Sequence, residues 1–314
     1  MYRALTIAVA AAASLLPTGC ANMWDAVTSR QFRDTPFKTV GHVITPDDPV
    51  VVLRADPPRS GDERAKAMHR LKEPALNKGT QEDQDQVIAT LARAATSEPS
   101  PVLRFAAIAA LGRFEDARTT AILMTAYQTA DGLTDAERAP PKVAERSAVI
   151  TIGGTSAGRL PTRAGLEPGA ALKGPAGYAP DTVSALRCRC LESLGKTHKS
   201  EAARFLATVA GATKPDTVVP GSEDAEVRQA AVRGLSNCRQ PEAVVALAQV
   251  LKQEAGKDVI LARQSHAGLV KLTGKRLPPD PEKWDEVVQA GVVIAPEPSW
   301  VESAIQSAAF WDKK

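Results

Sequence analysis

Residues 186–197 read LRCRCLESLGKT and set Cys188 and Cys190 two apart in a chain with four cysteines. Closely spaced thiolates can hold zinc, exchange disulfides or attack an electrophile, so the local backbone decides which chemistry is open to them. On a helix, side chains two apart point about 200° away from each other. A regular helix here would stop the pair from sharing an ion and leave packing as its role. A disulfide from either residue to Cys238 and metal binding are the alternatives.

Gly154-Thr155-Ser156-Ala157-Gly158 fits G-x-S-x-G, and Ala148–Ile152 before it could form a strand. A nucleophile elbow must next launch a helix that supports the serine. Pro161 and further glycines follow instead, no other strands appear to build the sheet, and His42, His69, His198 and His266 show no spacing that marks a base. The match is read as coincidence within a Gly/Ser-rich stretch. His266 is read as a core or interface histidine. No HExxH, CxxC, P-loop or dinucleotide fingerprint accompanies it, and neither a cofactor nor a bound metal is expected.

The elements around these residues repeat. ERAKAMHRLK (63–72), LRFAAIAALG (103–112), LRCRCLESLG (186–195), VRQAAVRGLS (227–236) and ARQSHAGLVK (262–271) align without a gap. Their arginines, Arg64, Arg104, Arg187, Arg228 and Arg263, lie 40, 83, 41 and 35 residues apart, the period of helical-hairpin solenoids with one double interval. Small residues recur three places after the arginine, apolar ones four and seven places after, which makes one buried helical stripe. Cys190 occupies the small slot of Ala107 and Ala231, while Cys188 aligns with Phe105 and Gln229. The glycines at 112 and 195 are read as helix stops. Second helices are predicted over 117–130, 200–211 and 240–254, with 86–95 as the equivalent in the first unit. Leu123, Leu206 and Leu247 hold one register there.

The stretch Asp224–Val232 (DAEVRQAAV), with the ALG and SLG endings, resembles the second-helix signature of HEAT repeats. The resemblance covers most of 61–277 and implies an all-α, right-handed solenoid of about five HEAT-like hairpins. It also implies that each arginine meets an acid or helix-end carbonyls of an adjacent unit, with Asp224 and Asp258 as candidate acids. Exposed Arg70, Arg113, Arg189 and Arg233 are the first candidates for partner contact, with ordinary solvated charge as the other reading.

The rest of the chain frames this core. Arg3, the apolar run Ala4–Leu16 and Pro17-Thr18-Gly19-Cys20 resemble a bacterial lipoprotein signal, although Leu16 rather than position 17 carries the leucine. The resemblance implies lipid on Cys20, a membrane anchor and a periplasm-facing protein, at the outer membrane more than the inner. Ordinary secretion and a cytosolic protein with an apolar tail are the alternatives. If Cys20 is lipidated, three cysteines remain, too few for a complete disulfide framework. Residues 21–60 read as an extended tether whose Val50–Leu53 docks on the first repeat. The Gly/Pro-rich 131–181 reads as a flexible insertion replacing a repeat. Residues 278–314, with Trp284, Trp300 and Trp311, read as a terminal cap.

A net charge of +3 from 39 basic and 36 acidic side chains speaks against nucleic acid as partner. Stacked hairpins on an exported chain make an extended surface of the kind that binds proteins, so the expected function is a non-catalytic scaffold binding an envelope protein. A HEAT-like enzyme or chromophore chaperone of the lyase type, and a glycan- or lipid-binding envelope protein, are the alternatives.

Overall fold

The computed structural model describes residues 47–56, 58–133, 177–213 and 219–296. Among them every regular element is helical. The signal, Cys20, most of the tether, residues 134–176 with the GTSAG motif, Trp300 and Trp311 lie outside the described residues. The chain divides into two compact units at Leu71/Lys72.

In the first unit, α1 (Pro49–Arg54) and α2 (Gly61–Arg70) pack together. The run Val50–Leu53 is helical rather than extended, so the expected tether ends in a packed helix. Asp48 caps α1 by accepting from the Val50 N–H at 2.8 Å. Ser60 and Glu63 form a capping box on α2, the arrangement that satisfies two otherwise orphaned N–H groups. Ala67, Met68 and Leu71 are buried, as the repeat register requires, and Arg64 is half-buried.

The second unit contains α3 (Gln81–Ser97), α4 (Pro101–Leu111), α5 (Thr119–Gln128), α6 (Pro180–Lys196), α7 (Ser200–Ala210), α8 (Ala225–Asn237), α9 (Pro241–Glu254), α10 (Val259–Thr273) and α11 (Pro281–Gln289). They sort into two layers. Helices α4, α6, α8 and α10, which carry the repeated motif, pack each on the next. Helices α3, α5, α7, α9 and α11 form the other layer. There α3 meets α5, α7 meets α9, α9 meets α11, and Tyr127 of α5 meets Phe205 of α7 edge-on at 5.3 Å. The predicted second helices are all present, and Leu123, Leu206 and Leu247 are fully buried.

The first layer is held close by small residues. A Cβ on Gly112 would lie 2.7 Å from the Ser193 Cβ, one on Gly195 would strike the backbone of Gly234, and one on Gly234 would lie 2.6 Å from the Leu191 carbonyl oxygen. Gly195 sits inside α6, and Gly112 has φ −65°. Both are points of close helix approach; Gly112 also caps the end of α4, as expected from its place after the leucine, whereas Gly195 does not end α6. The left-handed stops are Gly211 (φ 84°) and Gly274 (φ 69°), where glycine avoids the Cβ penalty.

The fifth motif is displaced by one residue. Buried in α10 are Leu261, Ser265, Gly268, Leu269 and Leu272, while Arg263 and Ala267 are exposed. Ala262, not Arg263, stands where Arg228 stands in α8. Ser265 takes the small slot, and the step is 34 residues.

The 83-residue interval also proves to be a single step. Helix α6 packs directly on α4, with Gly112 against Ser193, so no repeat separates them in the stack. The ends of the insertion meet at a neck. The Tyr178 N–H donates to the Asp131 carbonyl at 2.8 Å, the Leu133 N–H donates to the Asp131 carboxylate at 3.1 Å, and the Tyr178 hydroxyl reaches the Glu98 and Pro99 carbonyls at 2.8 and 2.9 Å. The expectation of a replaced repeat is corrected to an insertion in the α5–α6 turn.

Candidate functional site: the outer face of the repeat helices

Position in the repeat decides which arginines are structural. Arg104 is 2 % exposed and donates to the Thr129 carbonyl at 2.9 Å and to the Thr96 carbonyl. Those carbonyls end α5 and α3, so one guanidinium ties two helices of the second layer and satisfies acceptors that a helix terminus leaves orphaned. The Tyr178 ring lies 5.5 Å from it. Arg228 lies beside Gly211 at the end of α7 and pairs with Glu254 of α9 at 2.6 Å. Arg187 lies 5.7 Å from the buried Tyr127 ring and beside Gly221. Arg104 thus meets helix-end carbonyls, and Arg228 meets Glu254 of its own hairpin rather than Asp224 or Asp258. Asp224 caps α8 and accepts from Ser184, while Asp258 caps α10.

The opening cysteines are enclosed or half-enclosed, and all three described cysteines are free thiols. Cys190 is fully buried, like Ala107 and Ala231. Burial pushes the Cys190 and Cys238 thiols up to about 12 and Cys188 up to about 11, which suppresses the nucleophilic thiolate at neutral pH. Among the described residues no group of His, Cys, Asp and Glu side chains could hold a metal ion.

At the terminal end of the stack, Trp284 is fully buried and donates from Nε1 to the Pro278 carbonyl at 3.0 Å. His266 Nε2 lies 2.8 Å from the Leu277 oxygen, with its ring 5.9 Å from the Trp284 ring. Both residues seal the last repeat. A sugar cannot stack on a fully enclosed indole, so Trp284 gives no support to a glycan-binding reading.

The candidate contact arginines of the second unit come together on the exposed side of the first layer. Arg113 follows α4, Arg189 lies in α6 and Arg233 lies in α8. Glu192 of α6 stands between the last two, 3.6 Å from Arg189 and 3.3 Å from Arg233. Burial first, and the Arg189 charge second, lower the pKa of Arg113. The two guanidiniums therefore feel each other across neighbouring helices. Arg70, in the first unit, donates to the Asp47 carbonyl at 2.7 Å.

Beyond Arg233 the face opens into a cleft of about 210 Å³ lined by Lys196, His198, Ser236, Asn237, Arg239, Lys271 and Leu272. Four of these seven side chains are basic and none is a carboxylate. Lys271 donates to Asn237 at 2.6 Å. His198 holds a left-handed backbone (φ 52°), unusual for a non-glycine residue. Its carbonyl accepts from Gln240 at 2.5 Å. The sequence reading missed this cleft, because its residues end three helices far apart in the chain.

Two layers of antiparallel helices, one bearing the repeated motif and each packed on its predecessor, define the class as an α-solenoid of HEAT-like hairpins. The family model for the PBS lyase HEAT-like repeat matches residues 227–253, which cover most of α8 and α9. No curated protein and no solved structure matches the chain significantly.

Proposed function

We propose that this protein is a non-catalytic scaffold of the bacterial cell envelope, held to the membrane through lipid on Cys20, that binds a protein partner on the exposed face of α4, α6 and α8. The observation that supports this reading most is the alignment of Arg113, Arg189 and Arg233 across three successive helices of a repeat stack. Stacked repeats make a continuous surface from positions distant in sequence, and such surfaces ordinarily take proteins or peptides. Arginine is also enriched at binding hot spots, because its planar head can stack and form several hydrogen bonds. The buried thiols and the sealed Trp284–His266 pair agree with structural rather than chemical roles for those residues.

The test places a photo-crosslinking residue at Arg189 on this face and, separately, at Arg204 on α7 in the other layer, in full-length protein in intact cells. One defined envelope protein captured from position 189 and not from 204 is the expected outcome. Equal capture from both positions, or none from 189, overturns the docking face. Anchoring is read separately from the intact mass of the mature protein. An acylated N-terminal Cys20 is expected, whereas a chain retaining Met1 overturns the lipid anchor.

A further inference from the structure

The cleft at the end of the docking face is lined by basic side chains, and that local bias specifies what fits it. Arg113, Arg189 and Arg233 run across α4, α6 and α8 with the Glu192 carboxylate set between the latter two. The row continues into the cleft, where Lys196, His198, Arg239 and Lys271 converge without a lining carboxylate. Lysines in the last turn complement the partial negative charge of a helix C-terminus. That accounts for Lys196 on α6 and Lys271 on α10 singly. Arg239, past the end of α8, lines the same cleft while donating to the Ala295 carbonyl.

We propose that this row binds an extended acidic segment of a protein partner, with carboxylates paired to Arg113, Arg189 and Arg233 and one seated in the cleft beside Lys196 and Lys271. The proposal rests on the scaffold reading above and specifies its partner's chemistry. Scale fits the assignment. Neighbouring packed helices lie about 8–10 Å apart, so the three steps from α4 to α10 span about 24–30 Å. An extended peptide advances about 3.3–3.6 Å per residue, so about eight residues cross the whole face. The position of Glu192 favours a peptide over a uniformly anionic membrane or a polyphosphate. A partner that places each acid separately can leave a neutral or basic residue opposite Glu192, whereas a continuous sheet of negative charge must press against it.

The probe is a fluorescein-labelled peptide of about ten residues in which glutamate alternates with serine, titrated with the full chain and followed by anisotropy. Saturable binding that weakens with salt is expected, as for exposed charge pairs. Arg189→Gln combined with Arg233→Gln should weaken it about tenfold, and Lys196→Glu should weaken it comparably. Arg204→Gln on the other layer should leave it unchanged. All of these sites are at the surface, and unaltered thermal melts establish that each variant is folded. Equal losses from the Arg204 variant, or no binding of the alternating glutamate peptide, overturn the acidic-segment assignment. Binding to phosphatidylglycerol vesicles but not to the peptide overturns it in favour of a lipid surface. If crosslinking from position 189 still captures a protein while the glutamate peptide fails, the docking face stands and only the partner's chemistry is wrong.

Discussion

Arg228 and Glu254, 26 residues apart, meet at 2.6 Å with the arginine on one layer and the glutamate on the last turn of the other. Their side chains are 25 % and 14 % exposed, enclosed enough for the pair to be screened less than a surface ion pair. Arg104 makes the corresponding tie two helices earlier, but to carbonyls instead of a carboxylate. One repeated residue thus uses two kinds of acceptor at the ends of second-layer helices.

For the Arg228–Glu254 pair, a double-mutant cycle with Arg228→Met and Glu254→Gln should return a coupling of about 1–2 kcal/mol. That is the range for a charge-assisted hydrogen bond discounted for partial exposure. Chemical denaturation of the four proteins measures it, and a coupling near zero would make the contact incidental.

Arg104→Met should cost more, about 2–4 kcal/mol, although methionine fills much of the stem's volume. The substitution leaves the Thr96 and Thr129 carbonyls without their donor, at about 1–3 kcal/mol for each buried group. For a unit of this size the melting temperature should drop by roughly 2–4 °C per kcal/mol. Arg263→Met, on the exposed side of α10, should leave the melt unchanged.

Gly234→Ala should destabilise despite improving helix propensity. The propensity gain is about 1 kcal/mol. The new Cβ would lie 2.6 Å from the Leu191 carbonyl oxygen, a backbone atom that cannot swing aside, and overpacking costs about 1–3 kcal/mol. A melting temperature raised by the substitution would refute the close approach of α6 and α8.

The thiols predict a dependence on alkaline pH. Below about 8.5 a cysteine is protonated in both the folded and unfolded chain and contributes no pH dependence. As pH rises past that value the unfolded thiols ionise, while burial holds Cys188 to about 11 and Cys190 and Cys238 to about 12. Folding stability should therefore fall as pH rises from about 8.5 toward those values. Cys190→Ala, matching Ala107 and Ala231, should flatten part of that slope. Native Cys190 should resist iodoacetamide at neutral pH, and rapid labelling there would refute its enclosure.

The repeat core was legible because its signal is geometric. Leucines at 111, 194 and 235 recur at a helical spacing that only one buried stripe satisfies, and all three are fully enclosed. Misreadings arose where residue identity was followed instead of the apolar pattern. Arg263 looked like the repeated arginine, but Leu261, Leu269 and Leu272 set the register of α10 one residue away. Asp224 looked like an arginine's partner, yet an aspartate just before a helix is first a cap for that helix. Glycine after a leucine suggested termination, and only the neighbouring backbone reveals that Gly195 is there to let α8 approach. The basic face was half legible. Arg113, Arg189 and Arg233 could be named singly, but they occupy different places in their repeats, and only helix packing aligns them with Lys196 and Lys271.

The neck at Asp131 and Tyr178 separates two requirements on the same stretch of chain. With both ends of residues 134–176 fixed side by side by the 2.8 Å bond between Tyr178 and Asp131, the register of α5 on α6 does not depend on how many residues lie between. Loop-closure cost grows only logarithmically, about 0.6 kcal/mol for each doubling of length. The turn is accordingly a port: length and composition can vary there from one chain to another, or be exchanged by design for a reporter domain, while the stack behind it keeps its spacing.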